Sequence, residues 1–181
     1  MRRHRSATHA NRGKAWEAVI DSTLTRYHRD GQVAGWFPTH PEVKITQHLG
    51  KGKVMGFLKD KGPPDRVVAV TGGPSLLLDL KDTQGPRFDF SLLEPHQALR
   101  FSQWSGSGRV AGILLRLDGL CFVLPWERFA APYMAWMDGK ASRTRARPGT
   151  ASLTLEQVRA AGLPFDETGW LGPLMQWWRA Q

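Results

Sequence analysis

Two acids and an amine stand at a spacing that suits phosphodiester chemistry. Pro64-Asp65 is followed, after thirteen residues, by Asp79-Leu80-Lys81. Asp79 and Lys81 are two apart, so on a strand both side chains leave the same face. Leu76-Leu77-Leu78 just ahead marks that strand as otherwise buried. A carboxylate and an amine at its end make poor core, because unpaired buried charge is costly. Arg66 to Thr71 and Ser75 to Lys81 read as two short strands joined by Gly72-Gly73-Pro74, a hairpin signal. The turn can return Asp65 to the side of Asp79. Two such carboxylates repel, and a divalent cation relieves the repulsion; Mg2+ favours hard oxygen ligands and keeps several waters. Such an ion polarises a phosphoryl oxygen and acidifies water. Lys81 can orient that water, help deprotonate it, or offset charge gathering on the phosphate. The plainer alternative is a surface salt bridge between Asp79 and Lys81, since Asp-x-Lys alone is common.

The whole-chain balance fits a polyanionic partner. In 181 residues, 25 Lys and Arg face 16 Asp and Glu, for a net charge of +9. With 41% hydrophobic residues the chain can bury an ordinary core, so global disorder is not expected. No apolar run approaches the length of a membrane span. Met1-Arg-Arg-His-Arg-Ser has charge but no apolar stretch behind it, so no secretory signal is expected. The single Cys121 can form neither an internal disulfide nor a cysteine zinc site, and a reducing, cytoplasmic setting is the expectation.

The elements that must position these groups read as follows. Residues 1–10 are basic and lack apolar anchors, which suggests a flexible arm. A helix is expected over about residues 12–29, where Trp16, Val19, Ile20, Thr23, Leu24 and Tyr27 recur at helical steps and Gly31 ends the run. Pro38 and Pro41 exclude a helix in the next stretch; Glu42 to Gln47 alternates weakly and could be a strand. Lys51 to Pro64 is basic and glycine-punctuated, like a projecting hairpin. Residues 82–90 read as a polar loop. A second helix is expected from about Glu94 to Trp104. Val110 to Leu117 and Leu120 to Leu124 read as strands turned by Asp118-Gly119. Pro125 opens a further helix through about Trp136. Residues 139–150 read as a basic linker. Thr154 with Gln157 begins a last helix as a capping box, and the apolar Leu174 to Trp178 is expected to dock, with Trp177 and Trp178 candidates for a partner subunit. This order implies an α/β fold around a mixed sheet.

The pattern resembles the PD-(D/E)xK nuclease superfamily, and within it the RecU-like Holliday junction resolvases. Four matches carry the resemblance. Asn11-Arg12-Gly13-Lys14 with Glu17 is similar to the family's N-R-G opening and its nearby acid. The basic stretch from about Glu42 to Lys61 resembles the family's stalk. Asp65 with Asp79-x-Lys81-Asp82-Thr83 is similar to the family's Asp followed by Glu-x-Lys-(Glu/Asp)-Thr. His96-Gln97 resembles its His-Gln motif. Strands over Gly112 to Leu117 and Cys121 to Leu124, then Pro125-Trp126-Glu127, keep the family's order. The resemblance covers roughly residues 11–130. Two departures stand out: Asp79 replaces the family's Glu and is one methylene shorter, and Pro64 stands where Thr is common.

The resemblance implies a restriction endonuclease-like core, a central mixed sheet flanked by helices, over residues 11–138. A protruding basic stalk would occupy about 42–62; residues 151–181, which the resemblance does not cover, read as a C-terminal helical extension from the capping box and the apolar tail. It implies a homodimeric, Mg2+-dependent resolvase of four-way DNA junctions, with Mn2+ a possible substitute. Asp65, Asp79 and Glu17 would be metal ligands, Lys81 and Gln97 further catalytic groups. Glu17 could equally be a solvated helix acid, and Gln97 a plain helix-start residue. DNA contacts are expected from Arg12, Lys14, Lys51, Lys53, Lys59, Lys61 and Phe57, against the alternatives of a solvated tail and a dimer-packing hairpin. Rival readings are another endonuclease of the superfamily acting on duplex DNA, and a DNA-binding protein with a vestigial site.

Overall fold

The apolar stripe near the N-terminus makes the helix on which one face of the molecule is built. In the computed structural model this helix, α1, spans Arg3–Arg29. Trp16, Ile20, Leu24 and Tyr27 on its inner face are all buried. Its start corrects the expectation of residue 12. Residues 3–11 contain neither Gly nor Pro, so nothing stops the helix propagating back from its packed turns. Gly31, at φ 73°, closes it, and the N–H of Gln32 donates to the carbonyl of Tyr27 at 2.9 Å. The structure describes residues 3–39, 43–58, 62–106, 108–141, 151–166 and 169–181. Lys59, Lys61 and most of the expected basic linker lie outside these residues.

In chain order the strands are β1 (Val33–Pro38), β2 (Val43–Gly50), β3 (Lys53–Leu58), β4 (Arg66–Val70), β5 (Ser75–Thr83), β6 (Arg87–Asp89), β7 (Arg109–Leu117), β8 (Leu120–Pro125), β9 (Ser152–Thr154) and β10 (Leu163–Phe165). The remaining helices are α2 (Pro95–Trp104), α3 (Trp126–Ala141), α4 (Leu155–Ala161) and α5 (Leu171–Arg179). Six strands form a central mixed sheet in the order β1-β4-β5-β7-β8-β10. β5 and β7 run parallel; the other neighbours in this sheet are antiparallel. A parallel pair needs a crossover, and here it carries β6 and α2 across one face.

Helices cover both faces. α1 and α5 pack on the side of Val68, Leu76, Leu78 and Leu80. α2, α3 and α4 pack on the side of Leu77, Ile113, Leu115 and Phe122. β5, in the interior of the sheet, is buried without a break from Leu76 to Leu80, as a strand covered on both faces must be. The fold is thus mixed α/β with helices flanking a mixed sheet. Among the described residues no helix is long and apolar enough to cross a membrane.

Several local expectations hold. β4 and β5 form the expected antiparallel hairpin. Asp118 (φ 50°) and Gly119 (φ 81°) make the tight turn between β7 and β8. Thr154 and Gln157 form the capping box of α4. β2 and β3 make a two-stranded hairpin separate from the central sheet.

Other expectations need correction. α3 begins one residue after Pro125 and runs to Ala141, into the stretch read as linker. The loop over 82–90 contains the end of β5, β6 and a 3-10 turn, and it buries Phe88 and Phe90. The C-terminal segment is not purely helical. β10 adds to the edge of the central sheet and β9 pairs with β6. Trp177 is buried in the chain's own core, with Trp178 packed against it, rather than left for a partner. The physical reason is α5 itself: Leu171, Leu174, Met175 and Trp177 share one face, which only burial against the sheet can satisfy.

This docking is testable. Leu174→Ala removes a fully buried side chain and is expected to cost about 3 kcal/mol in urea unfolding. A loss under about 0.5 kcal/mol would show that α5 is not part of the core.

Candidate functional site

Strand alternation decides which side chains meet. Leu76, Leu78 and Leu80 point to the α1 face, so Leu77, Asp79 and Lys81 point to the α2 face. Asp79 is fully buried, with no exposed surface. Its Oδ2 lies 2.6 Å from Lys81 Nζ. Its Oδ1 accepts a hydrogen bond from Gln97 Nε2 at 2.8 Å. Gln97 stands in the first turn of α2, where its own Oε1 accepts from the N–H of Glu94 at 3.1 Å. The capping box that starts this helix therefore also aims the amide at Asp79.

Asp65 precedes β4 and reaches across the hairpin. Its Oδ2 accepts from the backbone N–H of Leu80 at 2.8 Å, between Asp79 and Lys81 in sequence. The hairpin thus brings together Asp65, Asp79 and Lys81, and α2 adds Gln97. Burial pushes the Asp79 carboxyl up to about 7; Lys81 opposes the rise and the nearby Asp65 charge adds to it. The contact between Asp79 and Lys81 is not a surface salt bridge, the plainer alternative, since one partner is buried and the other has a side chain only 19% exposed.

Glu17 does not join this group. It lies 3.7 Å from Arg66 Nη2, with nearly half of its side chain exposed. Arg66 follows Asp65 and points the opposite way, into the α1 face. Its Nε and Nη2 donate to both oxygens of Asp21, at 2.8 and 3.0 Å. Its Nη1 donates to the carbonyl of Asp65 at 2.8 Å. Burial would lower the Arg66 pKa, but Asp21, then Glu17 and Asp65, outweigh it and raise it. The cation that the fold brings to Glu17 is the Arg66 guanidinium. Arg66 itself is the residue that sequence reasoning missed. Its signal was an arginine in register with Val68 and Val70 on a strand face that is otherwise apolar, a pattern that demands a buried partner.

The donor set fits a hard, hydrated cation and not a fully protein-ligated one. Among the described residues no three His, Cys, Asp or Glu side chains gather as a metal cluster. Two carboxylates do meet, and Mg2+ is commonly held by one or two carboxylates with waters completing its shell. Asp79 Oδ2 is buried and, despite the charge of Lys81 beside it, receives no hydrogen bond of good geometry. An acceptor of that kind, adjacent to a second acid, is suited to a cation.

The expected nucleic-acid contacts are spread over other elements. Arg12 is half-buried and Lys14 exposed on α1. Lys51 and Lys53 are exposed at the tip of the β2–β3 hairpin, where Gly50, Lys51 and Gly52 all adopt positive φ. Phe57 lies on β3, but its side chain is outside the described set. His96 ties α2 to the chain entering the site, its Nε2 lying 2.8 Å from the carbonyl of Gly62. No protein-family model matches this chain, and neither does any curated protein.

Two predictions follow from this geometry. In the folded chain Asp79 keeps its proton to about pH 7, whereas the unfolded chain ionises near the ordinary value of 3.8. The unfolded state therefore loses its proton first as pH rises. Stability from this group is greatest below the lower value, falls between the two, and is level above the upper. Asp79→Asn mimics the neutral acid. Without metal it is expected to exceed the native chain by on the order of a few kcal/mol near pH 8, with the gain vanishing near pH 4. A gain that does not grow with pH in urea titrations would refute the buried, strained charge. Arg66→Ala leaves Asp21 unpaired and the Asp65 carbonyl without its donor, and is expected to lose about 3 kcal/mol in the same assay.

Proposed function

We propose that this protein is a divalent-metal-dependent endonuclease of the PD-(D/E)xK type, acting on branched DNA in the manner of the RecU-like junction resolvases. The observation that carries the reading is the meeting of Asp65, Asp79, Lys81 and Gln97 on the α2 side of β5. Asp65 and Asp79 would hold Mg2+, or Mn2+ in its place. When bound, the cation supplies Lewis acidity toward a phosphodiester oxygen and an attacking water. Gln97 occupies Asp79 Oδ1, so the cation would meet Oδ2, the oxygen that Lys81 Nζ approaches to 2.6 Å. Lys81 sets a positive charge where negative charge gathers on the phosphate. Arg66 holds the backbone of Asp65 from behind the sheet.

The rest of the surface supports a polyanionic substrate. The chain carries a net charge of +9, and exposed Lys51 and Lys53 cap a hairpin that also exposes Ile45, Leu49, Val54 and Met55. An isolated two-stranded hairpin is marginal in water, so this one needs something to lie against. The open centre of a four-way junction would receive it. Resolving such a junction requires two symmetric cuts, which a homodimer with one site per subunit would supply.

A synthetic four-way junction, incubated with and without Mg2+, tests the proposal. Paired cuts that need Mg2+ and stop on chelation are the expected result, with linear duplex a poor competitor. Asp79→Ala and Lys81→Ala are each expected to slow cutting by about 100-fold or more. A folded Asp79→Ala protein that cuts at the native rate would sink the site. Equal cutting of duplex would assign a general endonuclease. Junction binding with no cutting in any metal would leave a DNA-binding protein with a vestigial site.

A further inference from the structure

Among the described residues, the β-sheet face that carries Asp79 continues past α2 without a further helix over it. Antiparallel register places Phe37, Val67 and Leu77 opposite one another across β1, β4 and β5, so their side chains share the α2 face. α2 covers Leu77 but not the outer strands. Phe37 is 57% exposed there. Between Val67 and Leu77 of this row and the helix runs a groove of about 290 Å³, also lined by Pro63, Pro64, Trp104 and Arg100; Phe37 stands beside it, paired across the sheet with Val67. Its walls are held in place. Trp104 Nε1 donates to the carbonyl of Ser75 at 3.2 Å. The hydroxyl of Thr39 hydrogen-bonds the carbonyl of Pro64, and its N–H donates to the carbonyl of Asp65 at 3.0 Å.

Residues that line the groove are close neighbours of the acids in the chain. Pro64 adjoins Asp65 in the chain. Leu77 precedes Asp79 by one strand repeat, roughly 7 Å. On α2, Gln97 touches Asp79, while Arg100 and Trp104 follow on the same side of the helix at the next turns. An aromatic ring, two prolines and an exposed guanidinium beside a phosphate-handling site make a surface for a flat, π-rich group attached to a phosphate.

Resting on the nuclease reading above, we propose that this groove is a nucleobase site: it takes one unpaired base of the DNA strand whose backbone lies at Asp65 and Asp79. Trp104 in the groove wall and the exposed Phe37 next to that wall supply the stacking faces, and Arg100 contacts the sugar-phosphate beside the base. The groove therefore selects DNA with an unstacked nucleotide near the cut, as at a branch point, over continuous duplex.

The test is binding without metal, which separates it from cleavage. The full-length protein is titrated by fluorescence anisotropy with a short labelled single strand, and with the same strand carrying abasic nucleotides. The native chain is expected to bind the base-containing strand about fivefold or more tightly. Phe37→Ala and Arg100→Ala alter exposed side chains, and circular dichroism checks their folding. Phe37→Ala is expected to abolish the preference, and Arg100→Ala to weaken it. Equal binding of both strands by the native protein overturns the site. A preference that survives Phe37→Ala overturns it too. So does an Arg100→Ala effect equal on both strands joined to no effect of Phe37→Ala, which marks a phosphate contact only. Conversion of a dimer to monomer by Phe37→Ala in sedimentation would assign the groove to a second copy of the chain. A protein that cuts no DNA can still show the base preference, and one that cuts can lack it, so the two readings fail separately.

Discussion

A carboxylate with no exposed surface, set in the interior of a six-stranded sheet, is the constraint around which this molecule is arranged. Ionised Asp79 must find its compensation locally, because water cannot supply it. Lys81 provides charge and Gln97 a hydrogen bond. Asp65 works in the opposite sense, adding repulsion that raises the carboxyl's pKa. A group so poised binds a proton or a cation more readily than it stands alone. Sites that do chemistry are commonly kept in this state of partial satisfaction, at a cost to stability.

The two faces of the sheet divide the labour. On the α1 side, Arg66 and Asp21 lock the start of β4 to the helix and clamp the carbonyl of Asp65. On the α2 side, the crossover demanded by the parallel β5–β7 pair delivers Gln97 onto Asp79. Asp65 sits where these two systems meet. Its backbone answers to one face and its carboxylate, through the N–H of Leu80, to the other. Packing of α1 against the sheet therefore bears on the geometry of a group whose carboxylate faces away from it.

What could be read from the chain was what is local. The paired spacing of Asp79 and Lys81, the Gly72-Gly73-Pro74 hairpin, the Asp118-Gly119 turn and the Thr154 capping box all depend on neighbours within a few residues. The approach of Asp65 to Asp79 was legible because a single hairpin makes it. The three-residue strands were not legible. β6 and β9 hold one another across Arg87 and Thr154, and three residues carry no period. The fate of Glu17 was hidden for a similar reason. A helix acid chooses among all the cations the fold brings near, and the nearest came from β4. Likewise Trp178 and Trp177 were legible as anchors, but not as anchors to their own sheet, because that surface is assembled from strands throughout the chain.

The rims of the central sheet are both interrupted. β1 ends in Pro38, and Pro164 stands in the middle of β10. Proline offers no amide to an incoming chain, so each rim presents a broken rather than a continuous row of donors. Growth of the sheet by annealing to another molecule is thereby discouraged on both flanks. Association between copies along these two rims would have to be cemented by side chains rather than by a shared backbone ladder.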